Sequence, residues 1–268
     1  MIKVLVAGPN GKMGKAMIQL AYRHPMITIV GGVGPKGRKY IGRDLGAIAG
    51  LGEDIGASAY DDMNAIVHHC DVVLECTNAE ASLDILQKCV AAAKALVSGS
   101  TGFTDEERAQ FQNAGEFIPV LLASNTSKFA HLFFHLIKWI AGKVGKEADI
   151  DIIEMHDRNK SDAPSGTSKE IGQIIAEELG LEFDKIARYQ RKGKGTRPAH
   201  TIDYSSIRTG NYPTTHKVIF SLENEKLELS FDGYNMYPFA GGMIEAAVFL
   251  HDKKPGFYTI EQAFGLDV

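Results

Sequence analysis

The chain has 268 residues and a formal net charge of −4, with 29 Lys and Arg against 33 Asp and Glu. This length allows one large domain or two moderate ones, and the even charge balance argues against a nucleic-acid partner. No apolar run reaches the roughly 20 residues that cross a bilayer, and no signal-peptide pattern opens the chain, so we expect no membrane partner. Cys70, Cys76 and Cys89 have neither CxxC nor metal-site spacing, which favours reduced thiols in a cytoplasmic protein.

The first predicted strand, Ile2–Ala7, passes directly into a turn with glycines at Gly8, Gly11 and Gly14. Helical spacing of apolar residues follows. A strand, a glycine turn and a helix in this order bring backbone N–H groups and a helix N-terminus to a pyrophosphate. The GxxGxxG spacing is a weak motif alone, but its place as the first strand-to-helix turn predicts a dinucleotide site.

The second predicted strand, residues 27–33, ends without the acidic residue that binds the adenosine ribose in NAD-dependent enzymes. Instead, Lys36, Arg38 and Lys39 follow it. Cations at this position suit a 2′-phosphate, which favours NADPH over NADH. A solvated basic loop is the alternative.

A helix is predicted over residues 61–67 and another over residues 83–90. Three further predicted strands, residues 71–77, 95–98 and 118–122, end in small polar turns. Such turns lie along the carboxyl edge of a parallel sheet, where these folds bind ligands. An apolar helix follows over residues 129–144. His131 and His135 are four residues apart on it, but no third ligand has a suitable spacing, so we expect no metal site.

The stretch from Glu154 to Thr167 concentrates reactive side chains between a predicted strand, residues 148–154, and a helix that begins after Thr167. The alternating strand suits a half-buried sheet edge. Gly166 and Thr167 would offer backbone N–H groups and a hydroxyl to an anion. With His156 and Lys160 just before them, they predict a pocket for a small substrate that carries a carboxylate and receives a proton. Each residue alone also fits a helix cap, a satisfied histidine or a solvated lysine.

The second half is predicted to contain an exposed loop over residues 181–197, then strands over residues 202–208, 216–222 and 226–231, the last two joined by a hairpin. An open sheet of this kind has edges to protect, so self-association is expected. A glycine-led helix over residues 240–250 would return to the first domain. The predicted fold is α/β: a Rossmann-type parallel sheet domain, residues 1–127 completed by 241–268, and an α+β substrate and oligomerisation domain with an open mixed sheet, residues 128–240.

Together these segments resemble the dihydrodipicolinate reductase family, the 4-hydroxy-tetrahydrodipicolinate reductases of lysine and diaminopimelate synthesis. The stretch Glu154 to Thr167 carries the most specific likeness, supported by the glycine turn, Gly99 to Gly102, and Arg208 with His216. The likeness covers essentially the whole chain. It implies an NAD(P)H-dependent reductase that forms homotetramers and uses NADH, NADPH or both, and the cations after the second strand favour NADPH as the preferred cofactor.

The resemblance also implies roles for individual residues. His156 and Lys160 would be the catalytic pair, with Lys160 protonating a conjugated imine or ene that receives a hydride and His156 sharing or relaying the proton. Gly166 and Thr167 would bind a substrate carboxylate. The implied cofactor contacts are Gly8, Pro9, Asn10, Gly11, Lys12 and Met13 for the pyrophosphate, Lys36 for the 2′-phosphate, and Gly99, Ser100, Thr101, Ala123, Ser124, Asn125 and Thr126 for the nicotinamide.

Three departures from the family pattern leave the substrate open. Asp157 stands where the family has a second histidine, residues 235–238 lack the usual arginine, and no aromatic follows Asn125. Asp157 is therefore a candidate substrate contact. The alternatives are a reductase of the same type acting on a less anionic imine or ene, with Asp157 contacting an amine or hydroxyl, and a non-catalytic nucleotide-sensing protein.

Overall fold

The computed structural model describes residues 1–189 and 191–267. The chain divides into two compact units, Met1–Lys128 with Met236–Val268, and Phe129–Asn235. Each unit has its own sheet and its own hydrophobic core. No helix in the described ranges is both long enough and apolar enough to span a membrane.

The elements follow in chain order. The first part contains β1 (Ile2–Ala7), α1 (Lys12–Arg23), β2 (Ile27–Val33), α2 (Leu45–Ala49), β3 (Ala59–Tyr60), β4 (Val72–Glu75), α3 (Ala79–Ala92), β5 (Ala95–Ser98), α4 (Asp105–Ala114) and β6 (Pro119–Leu122). The remainder contains α5 (Lys128–Val144), β7 (Asp149–His156), α6 (Gly166–Leu179), α7 (Phe183–Ile186), β8 (Ala187–Tyr189), β9 (Ile202–Arg208), β10 (Thr214–Ser221), β11 (Lys226–Gly233), α8 (Tyr237–Leu250), β12 (Gly256–Tyr258) and α9 (Ile260–Phe264).

The sheet of the first unit has seven strands in the order β12-β6-β5-β4-β1-β2-β3, and every pairing is parallel. Both faces are covered, which explains why its strands read as nearly continuous apolar runs. Val4 and Val6 face a core formed with α1 and α8, whereas Leu5 faces one formed with α3 and α4. Each of these buried side chains contributes roughly 1.5–3 kcal/mol relative to exposure. The predicted Rossmann-type sheet is confirmed.

The second unit holds a mixed five-stranded sheet in the order β11-β10-β7-β9-β8. β7 pairs antiparallel with β10 and parallel with β9, so the predicted edge position of this strand is wrong: it is the central strand. Its alternation instead reflects two different faces. Ile150 and Ile152 are buried in a core with α5 and α6, while Ile153 and Met155 on the other face are only half-buried. The predicted open mixed sheet is confirmed.

Several local elements differ from the prediction. The helix expected over residues 61–67 is replaced by two short 3-10 turns, Met63–Ala65 and Val67–His69. The polar helix α4 was not predicted. The segment expected as an exposed loop over residues 181–197 contains α7 and β8, because Ile186 and Ala187 pack into the core of the second unit.

Candidate active site

The turn between β1 and α1 is shaped for close approach of a phosphate. Gly8 has φ of +73°, and a Cβ on Gly14 would lie 2.1 Å from the carbonyl oxygen of Gly8. Only glycines fit both positions. Helix α1 begins after Gly11 without a side-chain cap, so its first N–H groups are oriented toward whatever binds there. The arrangement fits a dinucleotide pyrophosphate.

A cavity of about 320 Å³ adjoins this turn, lined in part by Gly8, Gly34, Pro35, Thr77 and Asn78. It therefore joins the ends of β1, β2 and β4. Lys36 and the cations after it lie exposed just beyond Pro35. No acidic residue follows β2, and the structure leaves no room for a side chain at Gly34. A Cβ there would lie 2.1 Å from the hydroxyl of Tyr40.

A buried carboxylate that sequence reasoning missed ties two of the polar turns together. Glu75, at the end of β4, is 0% exposed. Its two oxygens accept five hydrogen bonds of 2.6–2.7 Å. The donors are the N–H and hydroxyl of Thr77 and the hydroxyls of Ser82, Ser98 and Ser100. A glutamate ending an otherwise apolar strand, with serines and threonines after neighbouring strands, was the available signal.

The predicted nicotinamide contacts differ in accessibility. Ser100, Ala123 and Thr126 are buried, and the hydroxyl of Thr126 donates a 2.7 Å hydrogen bond to the carbonyl of Phe239. Gly99 and Asn125 are half-buried, and Thr101 and Ser124 are exposed. All seven residues follow β5 or β6, on the carboxyl edge of the parallel sheet.

In the second unit, β7 ends with two polar residues on its buried face. Glu154 is 0% exposed and His156 is 6% exposed. Oε2 of Glu154 lies 2.5 Å from Nδ1 of His156, although the N–H direction is not well aligned with the oxygen. The other oxygen, Oε1, accepts a 2.7 Å hydrogen bond from Nη2 of Arg208 on the adjacent strand β9. The guanidinium of Arg208 thus holds the carboxylate of Glu154 by an ion pair to the oxygen that does not contact His156.

This environment sets the charge of both groups. Burial lowers the pKa of His156, and the charges of Arg208 and Lys160 add to that effect while Glu154 opposes it, so the imidazole is neutral at pH 7. Burial acts to raise the pKa of Glu154, but hydrogen bonds from Arg208 and Ser206 outweigh it and leave the pKa below its ordinary value. Glu154 is therefore an anion that fixes the neutral ring of His156.

Lys160 lies on the loop between β7 and α6, close enough for its charge to affect His156. Its Nζ is 2.6 Å from Oδ1 of Asp162, and this hydrogen bond lowers the pKa of Asp162. The lysine side chain is 29% exposed, so it can reach a bound ligand. The ion pair holds an ammonium group on the loop that leads to the helix.

Helix α6 begins at Gly166, two residues before the predicted start at Ser168, and its cap is Ser165 and not Thr167. The hydroxyl of Ser165 accepts a 3.2 Å hydrogen bond from the N–H of Ser168, which leaves the N–H groups of Gly166 and Thr167 for an external partner. A Cβ on Gly166 would meet no atom within 4 Å. The helix start therefore faces open space, as an anion site requires.

Asp157 is half-buried, and its Oδ1 accepts a 2.8 Å hydrogen bond from the N–H of Asn159. Its carboxylate thus closes the first turn of the loop between β7 and α6. The loop is also anchored to the segment after β9, through hydrogen bonds from the N–H of Thr209 to the carbonyl of His156 and from the N–H of Arg158 to the carbonyl of Gly210.

Glu154, His156 and His216 form the group of three potential metal ligands found in the described ranges, with ligand atoms within 4.8 Å of one another. Arg208 already supplies a cation to this carboxylate. His131 and His135, the pair considered from the sequence, are not part of this group. His131 packs against Phe134, and His135 is exposed on the same helix.

A parallel Rossmann-type sheet with a glycine turn, in one chain with a unit that carries a neutral histidine, a lysine and an open helix start, is typical of a nicotinamide-dependent oxidoreductase. Two family descriptions match the chain: "Dihydrodipicolinate reductase, N-terminus" over residues 2–126 and "Dihydrodipicolinate reductase, C-terminus" over residues 130–264. The chain belongs to the dihydrodipicolinate reductase family. The predicted family and enzyme class are confirmed, and none of these matches favours the nucleotide-sensing alternative.

Relatives and solved structures agree with this assignment. The chain is 37% identical over 267 residues to the 4-hydroxy-tetrahydrodipicolinate reductase of Geobacter metallireducens, covering 99% of this chain and 100% of the relative. It is 38% identical over 266 residues to that of Colwellia psychrerythraea, covering 99% and 98%. The dipicolinate-bound dihydrodipicolinate reductase of Paenisporosarcina sp. TG-14 has the same fold, with a TM-score of 0.75 and 23% identity over 97% of each chain.

Proposed function

We propose that this enzyme reduces 4-hydroxy-tetrahydrodipicolinate with NADPH, in the synthesis of diaminopimelate and lysine. The observation that carries the proposal is the loop from β7 to α6. It presents a neutral His156 backed by buried Glu154, an ammonium group at Lys160 and the exposed start of a helix. A dicarboxylate imine needs these groups: an anion site for a carboxylate and a proton donor for the reduced product.

In this proposal the cofactor supplies the hydride and the protein supplies orientation and protons. The N–H groups of Gly166 and Thr167 hold one carboxylate of the substrate at the positive end of α6. The 4-hydroxyl of the substrate leaves as water, which gives the conjugated imine that accepts the hydride. Lys160 donates a proton to the atom where negative charge develops, and the neutral ring of His156 relays a proton from solvent that restores the ammonium. Asp162 holds the side chain of Lys160 along the loop between reactions.

The preference for NADPH rests on the end of β2. Gly34 stands where an NAD-dependent enzyme has an acidic side chain, and Tyr40 fills the space that such a side chain would need. With no carboxylate to accept bonds from the ribose hydroxyls, the site offers Lys36 to a 2′-phosphate instead. The proposed pyrophosphate contacts remain Gly8 to Met13, and the nicotinamide contacts those after β5 and β6.

The cofactor proposal is tested by binding without turnover. Calorimetry would compare 2′,5′-ADP with 5′-AMP, which share the adenosine but differ in the 2′-phosphate. We expect Lys36→Gln to weaken 2′,5′-ADP binding about tenfold, as for loss of a charge-assisted hydrogen bond, and to leave 5′-AMP binding unchanged. Equal affinity of the wild-type protein for the two nucleotides would contradict the preference.

One observation favours a second candidate, a less anionic substrate. Asp157 stands where the family has a histidine, and its carboxylate is held in the loop turn. The carboxylate of Asp157 repels a second carboxylate of the substrate, unless it remains hydrogen-bonded to the N–H of Asn159 and directed away from the substrate. The test compares NADPH oxidation with the dicarboxylate imine and with a cyclic imine bearing one carboxylate. A higher kcat/KM for the dicarboxylate supports the proposed substrate, and the reverse order would assign the enzyme a less anionic one.

We also propose that the enzyme is a cytoplasmic homo-oligomer, by family likeness a tetramer. The outer face of the second sheet carries Ile153, Met155 and Ile207, half-buried or exposed, and Ile207 is 41% exposed. Apolar side chains on an open sheet face favour association of copies. The three cysteines are free thiols, which suits a reducing compartment.

A further inference from the structure

A buried hydrogen-bonded group connects strand β10 to the first turn of α6. His216 is 1% exposed, Ser165 is 2% exposed and Ser168 is 0% exposed. Nε2 of His216 lies 3.1 Å from the hydroxyl of Ser165, which also contacts the hydroxyl of Ser168 at 3.1 Å. The cap of the carboxylate-binding helix is therefore held by a side chain from a strand more than forty residues further along the chain.

The same imidazole contacts the catalytic strand. His216 lies opposite Glu154 in the antiparallel pairing of β10 with β7. Its ring meets that of His156 edge to face, with centroids 5.3 Å apart. One side chain thus touches both the ring of the catalytic histidine and the cap of the helix that begins with Gly166. The position of His216 therefore affects the distance between the ring of His156 and the Ser165 cap of α6.

His216 acts as a neutral group in this position. Burial lowers its pKa to about 4, with the charges of His156, Lys160 and Arg208 adding to the effect and Glu154 opposing it. At neutral pH it therefore has one N–H and one lone pair, and it contributes by hydrogen bonding and shape. A purely structural histidine would stabilise the fold without affecting the affinity for a carboxylate.

We propose that His216 is a positioning residue that holds the Ser165 cap, and with it the N–H groups of Gly166 and Thr167, at a fixed place relative to His156. The inference rests on the proposed function, since it requires a substrate carboxylate at the start of α6. Small displacements of such a site weaken binding strongly, because the N–H groups must point at the carboxylate oxygens.

The test measures binding of dipicolinate, a planar dicarboxylate, to the enzyme saturated with NADPH. His216→Leu keeps an apolar side chain of similar size in the buried site and removes the bond to Ser165. We expect its Kd for dipicolinate and its KM for the imine substrate to rise about tenfold, the usual effect of one lost hydrogen bond. The Kd for NADPH should stay within about twofold, because that site lies in the other unit.

Two further variants separate positioning from stability. His216→Gln brings its amide NH₂ near the former Nε2, where it can donate to the Ser165 hydroxyl, and should restore most of the dipicolinate affinity. Ser165→Ala should weaken dipicolinate binding about as much as His216→Leu, and the double variant should add little, since both remove the same bond. Val218→Ala, on the same face of β10 and 0% exposed, is the matched control: it should lower the melting temperature without changing the Kd for dipicolinate.

The outcomes distinguish this inference from the proposed function. Unchanged dipicolinate affinity in His216→Leu, with the wild type binding normally, would overturn the positioning role alone. Additive losses in the double variant would also overturn it. Failure of the wild-type enzyme to bind dipicolinate would overturn the dicarboxylate site itself, and the positioning role with it.

Discussion

Lys160 is the residue on which the proposed chemistry depends most directly, and the structure places its ammonium group 2.6 Å from Asp162. The pairing keeps the lysine on the loop between β7 and α6, next to His156. Its remaining exposure leaves it accessible to a ligand. A lysine held in this way serves as a positioned proton donor, whereas an unpaired surface lysine would sample many orientations.

Replacing Lys160 by alanine should lower kcat with the imine substrate by about 10²-fold or more, the usual loss when a positioned acid is removed. The Kd for NADPH should not change. Steady-state kinetics and calorimetry provide the two readouts. Lys138→Ala, an exposed lysine on α5, serves as the control for loss of one positive charge. A loss in kcat below about threefold would remove Lys160 from the mechanism.

His216 predicts a pH dependence of stability. Its pKa falls from an ordinary 6.5 to about 4 on folding, so between these values the unfolded chain binds a proton that the folded chain does not. The free energy of unfolding should therefore fall as pH drops from about 6.5 to about 4, on the order of 2–3 kcal/mol in total. Denaturant titrations at several pH values measure it.

In His216→Gln this part of the pH dependence should disappear. Contributions from His156 and Glu154 remain in both proteins. The lowered pKa of His156 makes stability fall below about pH 6.5 as well, and the lowered pKa of Glu154 makes it fall only near and below the ordinary range of a glutamate. The difference in the free energy of unfolding between the wild type and His216→Gln therefore reports the titration of His216. If both lose the same stability between pH 6.5 and pH 5, His216 does not titrate as its burial implies.

At this scale the sequence is informative about residues that are close along the chain. His156, Lys160, Gly166 and Thr167 lie between the end of β7 and the first turn of α6, so their spacing alone indicates that they are near one another. Glu75, as a hydrogen-bonding centre, and Ser165, as the helix cap, were missed. Arg208 and His216 were noted only as resemblances. Arg208 and His216 reach the site through strand pairing across more than forty residues, and a local pattern carries no information about such pairing.

At the scale of elements, Glu75 links the turns after β4 and β5 through its five hydrogen bonds. Glu75→Gln keeps the shape but directs an NH₂ group at hydroxyl donors. We expect the free energy of unfolding to fall by about 2–4 kcal/mol, since buried donors lose their acceptor. NADPH affinity should also fall, because Ser100 would no longer be fixed.

Thermal unfolding and NADPH titration measure these two effects. The comparison variant is Glu80→Gln, which removes an acidic side chain from the first turn of α3, outside this network. It should change the melting temperature little. Wild-type stability in Glu75→Gln would show that the carboxylate does not organise the two turns.

Elements with strong apolar patterns were predicted closely, and β1, β2, β5 and β9 match their expected bounds. The error for β7 has a clear cause. Alternating burial reports that one face of a strand is covered, but it does not distinguish an edge strand from a central one, because neighbours bond in the plane of the sheet. Helix α4 was missed because its sequence is polar, although Thr104 and Glu107 form a capping box at its start.

At the scale of the whole molecule, the succession of strands and helices was sufficient to predict two domain types, because alternating strands and helices build a parallel sheet. The order of strands within the second sheet was not predictable. β7 lies between β10 and β9, and that choice depends on packing of distant segments.

The open face of this sheet predicts association. Met155 lies beside Ile207 in the pairing of β7 with β9, and together they form an apolar patch. Ile207→Lys combined with Met155→Lys should shift the proposed tetramer toward smaller species, since buried charges oppose a packed interface. Size-exclusion chromatography with light scattering measures the mass. Phe117→Lys changes a residue of the first unit that is 63% exposed and should leave the mass unchanged. A monomeric wild-type enzyme would contradict the proposed assembly.

The proposed reaction is reduction of the dicarboxylate imine of the lysine pathway with NADPH. The most direct measurement follows the loss of near-ultraviolet absorbance of NADPH while 4-hydroxy-tetrahydrodipicolinate is generated in place by its synthase, with NADH run in parallel. We expect rapid oxidation, a higher kcat/KM for NADPH than for NADH, and at least about a 10²-fold loss of turnover in Lys160→Ala. Negligible turnover by wild-type protein that still binds NADPH would contradict the proposed function.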